Sequence, residues 1–153
     1  MEKSISITNM LIKSADRIVK VSENSIKEYV ENIDMLVAML NDVMIKRKDI
    51  LELIGGENNI IIMKTNHQSH LRFIASILQI PDSETLVDTL LWVFHTFMSR
   101  GFIPQYWDVQ LSTLIQLMKE NISVEAFLEI LSIYNWMITN ISNFVIIEDE
   151  KNN

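Results

Sequence analysis

Only three glycines and two prolines punctuate the 153 residues, and that scarcity limits the chain to a few long elements. Glycine and proline are the residues that turn or stop a backbone, so a chain this poor in them has few sharp corners. The remainder is rich in helix formers, including nine methionines, and the expected fold class is all-α. A hydrophobic content of 48% is ample for one core in one ordinary domain.

Apolar spacing of three and four residues predicts a leading helix over about 5–20, carried by Ile7, Met10, Leu11, Ile18 and Val21. The same spacing runs from Ser25 to about Ile50 through Ile26, Tyr29, Ile33, Leu36, Leu40 and Met44, which predicts one longer second helix. Gly55-Gly56-Glu57-Asn58-Asn59 is the strongest loop signal, and a third helix is expected from about Ile60 to Leu78. Pro81 stops it, with Asp82 or Ser83 as the cap of a fourth helix over about 84–99. Gly101 is expected as a left-handed cap residue and Pro104 suits the first turn of a fifth helix, over about 104–120. Ser123 caps a sixth that runs to about Ile147. Residues 1–147 are thus read as one domain and the acidic residues 148–153 as a frayed, solvated tail.

Several function classes fall away on composition. A net charge of -7, with no basic cluster beyond Lys46-Arg47-Lys48, argues against a nucleic-acid surface. Charges at Glu2, Lys3, Lys13 and Asp16 interrupt the N-terminal apolar residues, so neither a signal peptide nor membrane insertion is expected there. The absence of cysteine removes thiolate chemistry and is compatible with the cytoplasm. The serines and three histidines form no triad motif, so a binding protein is expected rather than an enzyme, with no catalytic residues. His67 and His70, three apart, lack a third ligand placed by sequence, and no metal site is expected.

The most distinctive stretch is His95-Thr-Phe97-Met-Ser-Arg100-Gly101-Phe-Ile-Pro104-Gln-Tyr106-Trp107. Its second half resembles the Gly-Leu-Pro-Pro-Glu-Trp-Tyr corner before the penultimate helix of bacterial globin-coupled sensors and protoglobins. Two further stretches fall in the same order. Ile33-Asp34-Met35-Leu36-Val37-Ala38-Met39-Leu40-Asn41 resembles that family's second helix, and Met63-Lys64-Thr65-Asn66-His67-Gln68-Ser69-His70-Leu71 its distal helix. The resemblance covers about residues 25–120 and implies a globin-like fold of the sensor-globin type.

The chain departs from the haem-binding members at the iron. Their proximal histidine position is Phe97 here, and Asn41 and Asn66 occupy the distal tyrosine and threonine positions. Phenylalanine donates nothing to iron, so a haem-less globin is implied. His95, two residues away, is about 200° around the helix and cannot substitute without a register shift. Arg100 stands where those sensors carry an apolar residue, and a charge beside an apolar pocket calls for an anionic ligand. On the third helix Asn66, His67 and His70 share a face with the reference position Met63. Arg72 points roughly opposite and is kept as the second carboxylate partner.

A narrower resemblance follows, to the haem-less globin sensor domains of Bacillus sporulation histidine kinases and their stand-alone plasmid-encoded, sporulation-inhibitory relatives. It implies a homodimer holding a fatty acid in an apolar tunnel, the carboxylate at an arginine with a chloride ion. A dozen buried methylenes would contribute roughly 10 kcal/mol of gross driving force before association costs. Met39, Met44, Met63 and Met98 could line such a tunnel. The resemblance also implies a dimer through the last two helices, whose apolar residues exceed one stripe, among them Leu111, Leu114, Leu117, Phe127, Ile130, Tyr134 and Met137. With no output domain after the globin, the chain is expected to sequester the ligand of a homologous kinase, or to pair with that kinase. Two other readings stay open: a haem gas sensor that recruits His95, His67 or His70, and a ligand-free helical dimerisation module in which Arg100 is only a helix-end cation.

Overall fold

The computed structural model describes residues 2–152, and every regular element among them is helical. In chain order these are α1 (Glu2–Ala15), α2 (Glu23–Glu31), α3 (Ile33–Ile45), the single turn α4 (Ile50–Ile54), a 3-10 turn (Glu57–Asn59), α5 (Ile60–Gln79), α6 (Ser83–Ser99), α7 (Gln105–Asn121), α8 (Val124–Thr139) and α9 (Ile141–Asn152). The all-α expectation holds, and α5, α6 and α7 match their expected bounds to within a residue or two.

Where strong stop signals exist the helices end on them. Asp82 caps α6 by accepting the Thr85 N–H at 3.0 Å, and Ser123 caps α8 by accepting that of Ala126 at 3.1 Å. Asparagine stands at the ends of α2, α7 and α8. Asn32 donates through Nδ2 to the Glu28 carbonyl at 2.7 Å, Asn121 to Leu117 at 2.8 Å and Asn140 to Trp136 at 2.8 Å. Each side chain turns back onto the carbonyl four residues earlier, which for Asn32 and Asn140 the residue's own backbone N–H also reaches. The second expected helix therefore divides at Asn32 and again at Lys46–Asp49, and the sixth divides at Asn140. The leading helix stops at Ala15 rather than 20, and Ser22 already caps α2.

One hydrophobic core links all nine helices among the described residues. α3 lies on α5 and α7, α7 on α8, and α2 on α5 and α8, while α6 packs mainly against α1 and α9. Although consecutive in the chain, α5 and α6 are not close packing partners, and the space between them is where the site lies. The stretch Val124–Glu150 is apolar and long enough to cross a membrane by composition. Its Phe127, Ile130, Ile133, Tyr134, Met137, Phe144 and Ile147 are buried within the fold, as in a core helix.

Two expectations need correction here. The residues from 148 do not form a frayed tail: α9 continues to Asn152, Glu148 is 1% exposed and takes the His95 Nδ1 at 2.8 Å, and Glu150 accepts from the Ser4 N–H. Asn153 lies outside the described residues. The apolar surplus of the last helices is also mostly spent inside the chain, because Leu111, Leu114, Leu117, Phe127, Ile130, Tyr134 and Met137 are all buried as α7, α8 and their neighbours pack. Val124 and Leu128 remain as large exposed side chains on α8.

Candidate ligand-binding site

Five helices leave a cavity of about 390 Å³ between them. From α5 come Ile62, Asn66, His70 and Phe73, a stripe at three- and four-residue spacing. From α6 come Leu90, Phe94 and Phe97, and from α7 Trp107, Gln110 and Leu111. Met137, Ile141 and Phe144 close it around the junction of α8 and α9. Ile61 and Trp92 stand at its rim, and both are exposed. The size and apolar lining suit a small-molecule ligand.

The wall is stiffened by aromatic packing. Phe94 stacks on Trp107 with centroids 4.0 Å apart and on Phe144 at 5.1 Å. Phe97 meets Phe102 edge-on at 5.1 Å, and Phe102 meets Tyr106 at 4.9 Å. Rings interlocked from three helices hold the cavity open better than flexible side chains would.

Behind α5 lies a polar layer. His67 Nδ1 sits 2.6 Å from Asn41 Oδ1, which accepts, so the ring proton is on Nδ1. Nε2 then accepts the Tyr106 hydroxyl at 2.9 Å. Asn66 bonds the same hydroxyl. Beside it, His70 Nε2 lies 3.1 Å from the Tyr134 hydroxyl, itself 2.7 Å from that of Tyr29. Burial, with His70 as a lesser cause, pushes His67 down to about 3, and burial pushes His70 down to about 4. Burial raises Tyr29, Tyr106 and Tyr134 above the usual phenol range. Every member of this layer is therefore uncharged at neutral pH.

The expected site residues divide accordingly. Asn66, His70 and Phe97 line the cavity. His67 and Asn41 do not, and instead hold the layer behind it. His67 is fully buried and bonded at both ring nitrogens. Met63 is buried in the core, and none of Met39, Met44, Met63 and Met98 reaches the lining, where Met137 is found. His95 turns outward to Glu148.

The arginines require the main correction. Arg72 and Arg100 are both exposed, and neither they nor any lysine lines the cavity among the described residues. Arg72 follows the opposite face of α5, as its wheel position indicates. Arg100 is turned out because Gly101 ends α6 there, and its backbone carbonyl is taken by Asn59 Nδ2 at 2.8 Å. Arg100→Ala is accordingly expected to leave uptake of an apolar ligand within about twofold of the parent and stability within about 0.5 kcal/mol, read by titration and thermal melting.

Sequence reasoning missed Gln110, Tyr29, Tyr106 and Tyr134 as members of the site. For Gln110 a signal existed: it stands three residues after Trp107 and four after Tyr106, so it belongs to the buried face of α7. The tyrosines had no such signal, since their hydroxyl partners come from other helices. No third His, Asp or Glu joins His67 and His70 among the described residues.

Fold and cavity together define an all-α protein with a preformed apolar cavity backed by a neutral polar layer. Comparison of the chain with protein-family models, with curated proteins and with solved structures gives no match in any of the three.

Proposed function

We propose that the chain is a non-enzymatic, haem-less sensor-globin domain that binds a fatty acyl ligand between α5 and the α6–α7 corner. The observation that carries the reading is the cavity's position: it lies between the stretch resembling a distal helix and the one resembling a proximal corner, with Phe97 at the ligand position facing it. Its wall is apolar and aromatic, and the two histidines behind or beside it have tyrosine partners on Nε2. An acyl chain gains about 0.8 kcal/mol for each methylene it buries there, enough for micromolar affinity after association costs. With both arginines outside, neither an arginine-held carboxylate nor a chloride ion is retained in the proposal.

In the cell the domain would act in the cytoplasm by taking up the ligand of a homologous sporulation sensor kinase, or by pairing with that kinase as it pairs with itself. Equal inhibition by loaded and stripped protein would exclude simple uptake as the mechanism.

Native mass spectrometry of the purified protein, followed by solvent extraction, tests the binding function. An acyl-chain ligand at one per chain is the expected result. The Ile62→Trp variant, which fills the cavity from α5, is expected to weaken uptake at least about tenfold. Haem in the extract, or stripped protein that takes up no acyl chain, would overturn the reading.

A further inference from the structure

Among the described residues that line the cavity, Gln110 alone carries an enclosed side-chain polar atom with no partner. It stands in the middle of the wall that α7 contributes, it is 1% exposed, and its side-chain amide makes no hydrogen bond to any of the described residues. Its Nε2 is fully enclosed without an acceptor. Buried polar groups in folded proteins are nearly always paired, because an unpaired one forfeits its hydration and gains nothing in return. Of the other polar residues lining the cavity, Asn66 is committed to Tyr106 and His70 to Tyr134, while Thr65 and Ser69 are exposed to solvent and Thr89 is half-buried.

We propose that Gln110 reads the head of the acyl ligand, and that this head is an uncharged carbonyl group carrying its own donor, a primary carboxamide or an un-ionised carboxylic acid. This rests on the acyl-binding function proposed above and adds the head-group class to it. A carboxamide presents N–H and C=O side by side, so its full complement is a group with a carbonyl next to an N–H or O–H. Such a group pairs with Gln110 twice. A carboxylate offers acceptors only: it would satisfy Nε2 but set its second oxygen against Oε1. It would also enter an apolar cavity that no arginine or lysine lines among the described residues, and an unpaired charge in such surroundings is strongly disfavoured. The neutral polar layer behind α5 supplies no compensating charge either.

The test is calorimetric titration of ligand-stripped protein at neutral to slightly alkaline pH with three probes of one chain length: dodecanamide, dodecanoate and dodecane. Dodecanamide is expected to bind at least about tenfold more tightly than dodecanoate. In the Gln110→Met variant, which keeps an unbranched side chain of similar length, the amide should fall to the level of dodecane while dodecane itself binds as well as before. A thermal melt at or above the parent's confirms that the variant folds, as expected when an unpaired buried amide is replaced by an apolar group. Dodecanoate binding as tightly as dodecanamide, or a preference for the amide that survives Gln110→Met, overturns the head-group assignment while leaving acyl binding in place. Failure of all three probes to bind overturns both.

Discussion

As the pH falls from about 7.5 to about 5, the fold is expected to lose on the order of 4 kcal/mol of stability, well before acid affects most carboxylates. The cause is the pair of histidines. In the unfolded chain each titrates near 6.5, whereas in the fold His67 is held down to about 3 and His70 to about 4 by burial. Between those values the unfolded chain binds protons that the folded chain refuses, so acid favours unfolding. The stability is complete above about 6.5 and declines as the pH falls toward the folded values. Asp82, lowered chiefly by the backbone N–H of Thr85, and Glu129, lowered chiefly by the Ser25 hydroxyl, lose their contributions mainly below about 4.5, in a separate window. Urea denaturation at the two pH values measures the loss. A His67→Gln, His70→Gln double variant starts less stable, because Tyr106 and Tyr134 lose their imidazole partners, but should show most of the slope removed. A parent protein equally stable at both pH values would show that the histidines are not held neutral by the fold.

Gly55→Ala is expected to cost about 3 kcal/mol, a large effect for one methyl group. The loop after α4 and the corner after α6 meet backbone to backbone. A Cβ at Gly55 would stand 2.6 Å from the Gly101 carbonyl oxygen and 2.8 Å from its Cα, and no side chain is there to move aside. Both residues have positive φ, 83° at Gly55 and 106° at Gly101, which a Cβ also disfavours. The joint is held from two sides: the Ile103 N–H reaches the Leu53 carbonyl at 3.0 Å, and Asn59 Nδ2 bridges the carbonyls of Ile54 and Arg100. Gly56→Ala serves as the comparison, because a Cβ there meets nothing within 4 Å and only its φ of 126° is strained. The denaturation midpoint should fall furthest for Gly55→Ala and less for Gly101→Ala, where the nearest contact is 3.3 Å, and for Gly56→Ala. Equal losses at Gly55 and Gly56 would mean that the loops can separate without consequence.

The elements readable from sequence are those with a strong local stop. Gly55-Gly56, Pro81 and Gly101 bound α5 and α6, and the caps Asp82 and Ser123 stand where composition puts them. The breaks at Asn32 and Asn140 were not readable, because the apolar spacing runs through both and asparagine alone does not say whether its side chain turns back onto the preceding turn. The same limit applies to the site. The wheel on α5 correctly separated Asn66, His67 and His70 from Arg72, since a helix face is a local property. Arg100 was misplaced because a helix end can turn a side chain either way, and the contact between Gly55 and Gly101 that fixes it joins residues 46 positions apart. Glu148 was read as solvent-facing from its charged neighbours, whereas α9 packs on α6, remote in sequence, and Glu148 is buried there beside His95.

The three tryptophans divide the molecule optically. Trp92 stands at the cavity rim, 62% exposed, and emits from a largely aqueous surrounding. Trp107 is enclosed and stacked on Phe94, and Trp136 is enclosed with its indole N–H on the Ser14 hydroxyl at 2.9 Å. Red-edge emission and access to an aqueous quencher such as iodide therefore belong to Trp92, while Trp136, enclosed and away from the cavity lining, supplies an internal reference. A chain entering the cavity would be reported by Trp92 at the rim and Trp107 in the wall against Trp136, with no label attached.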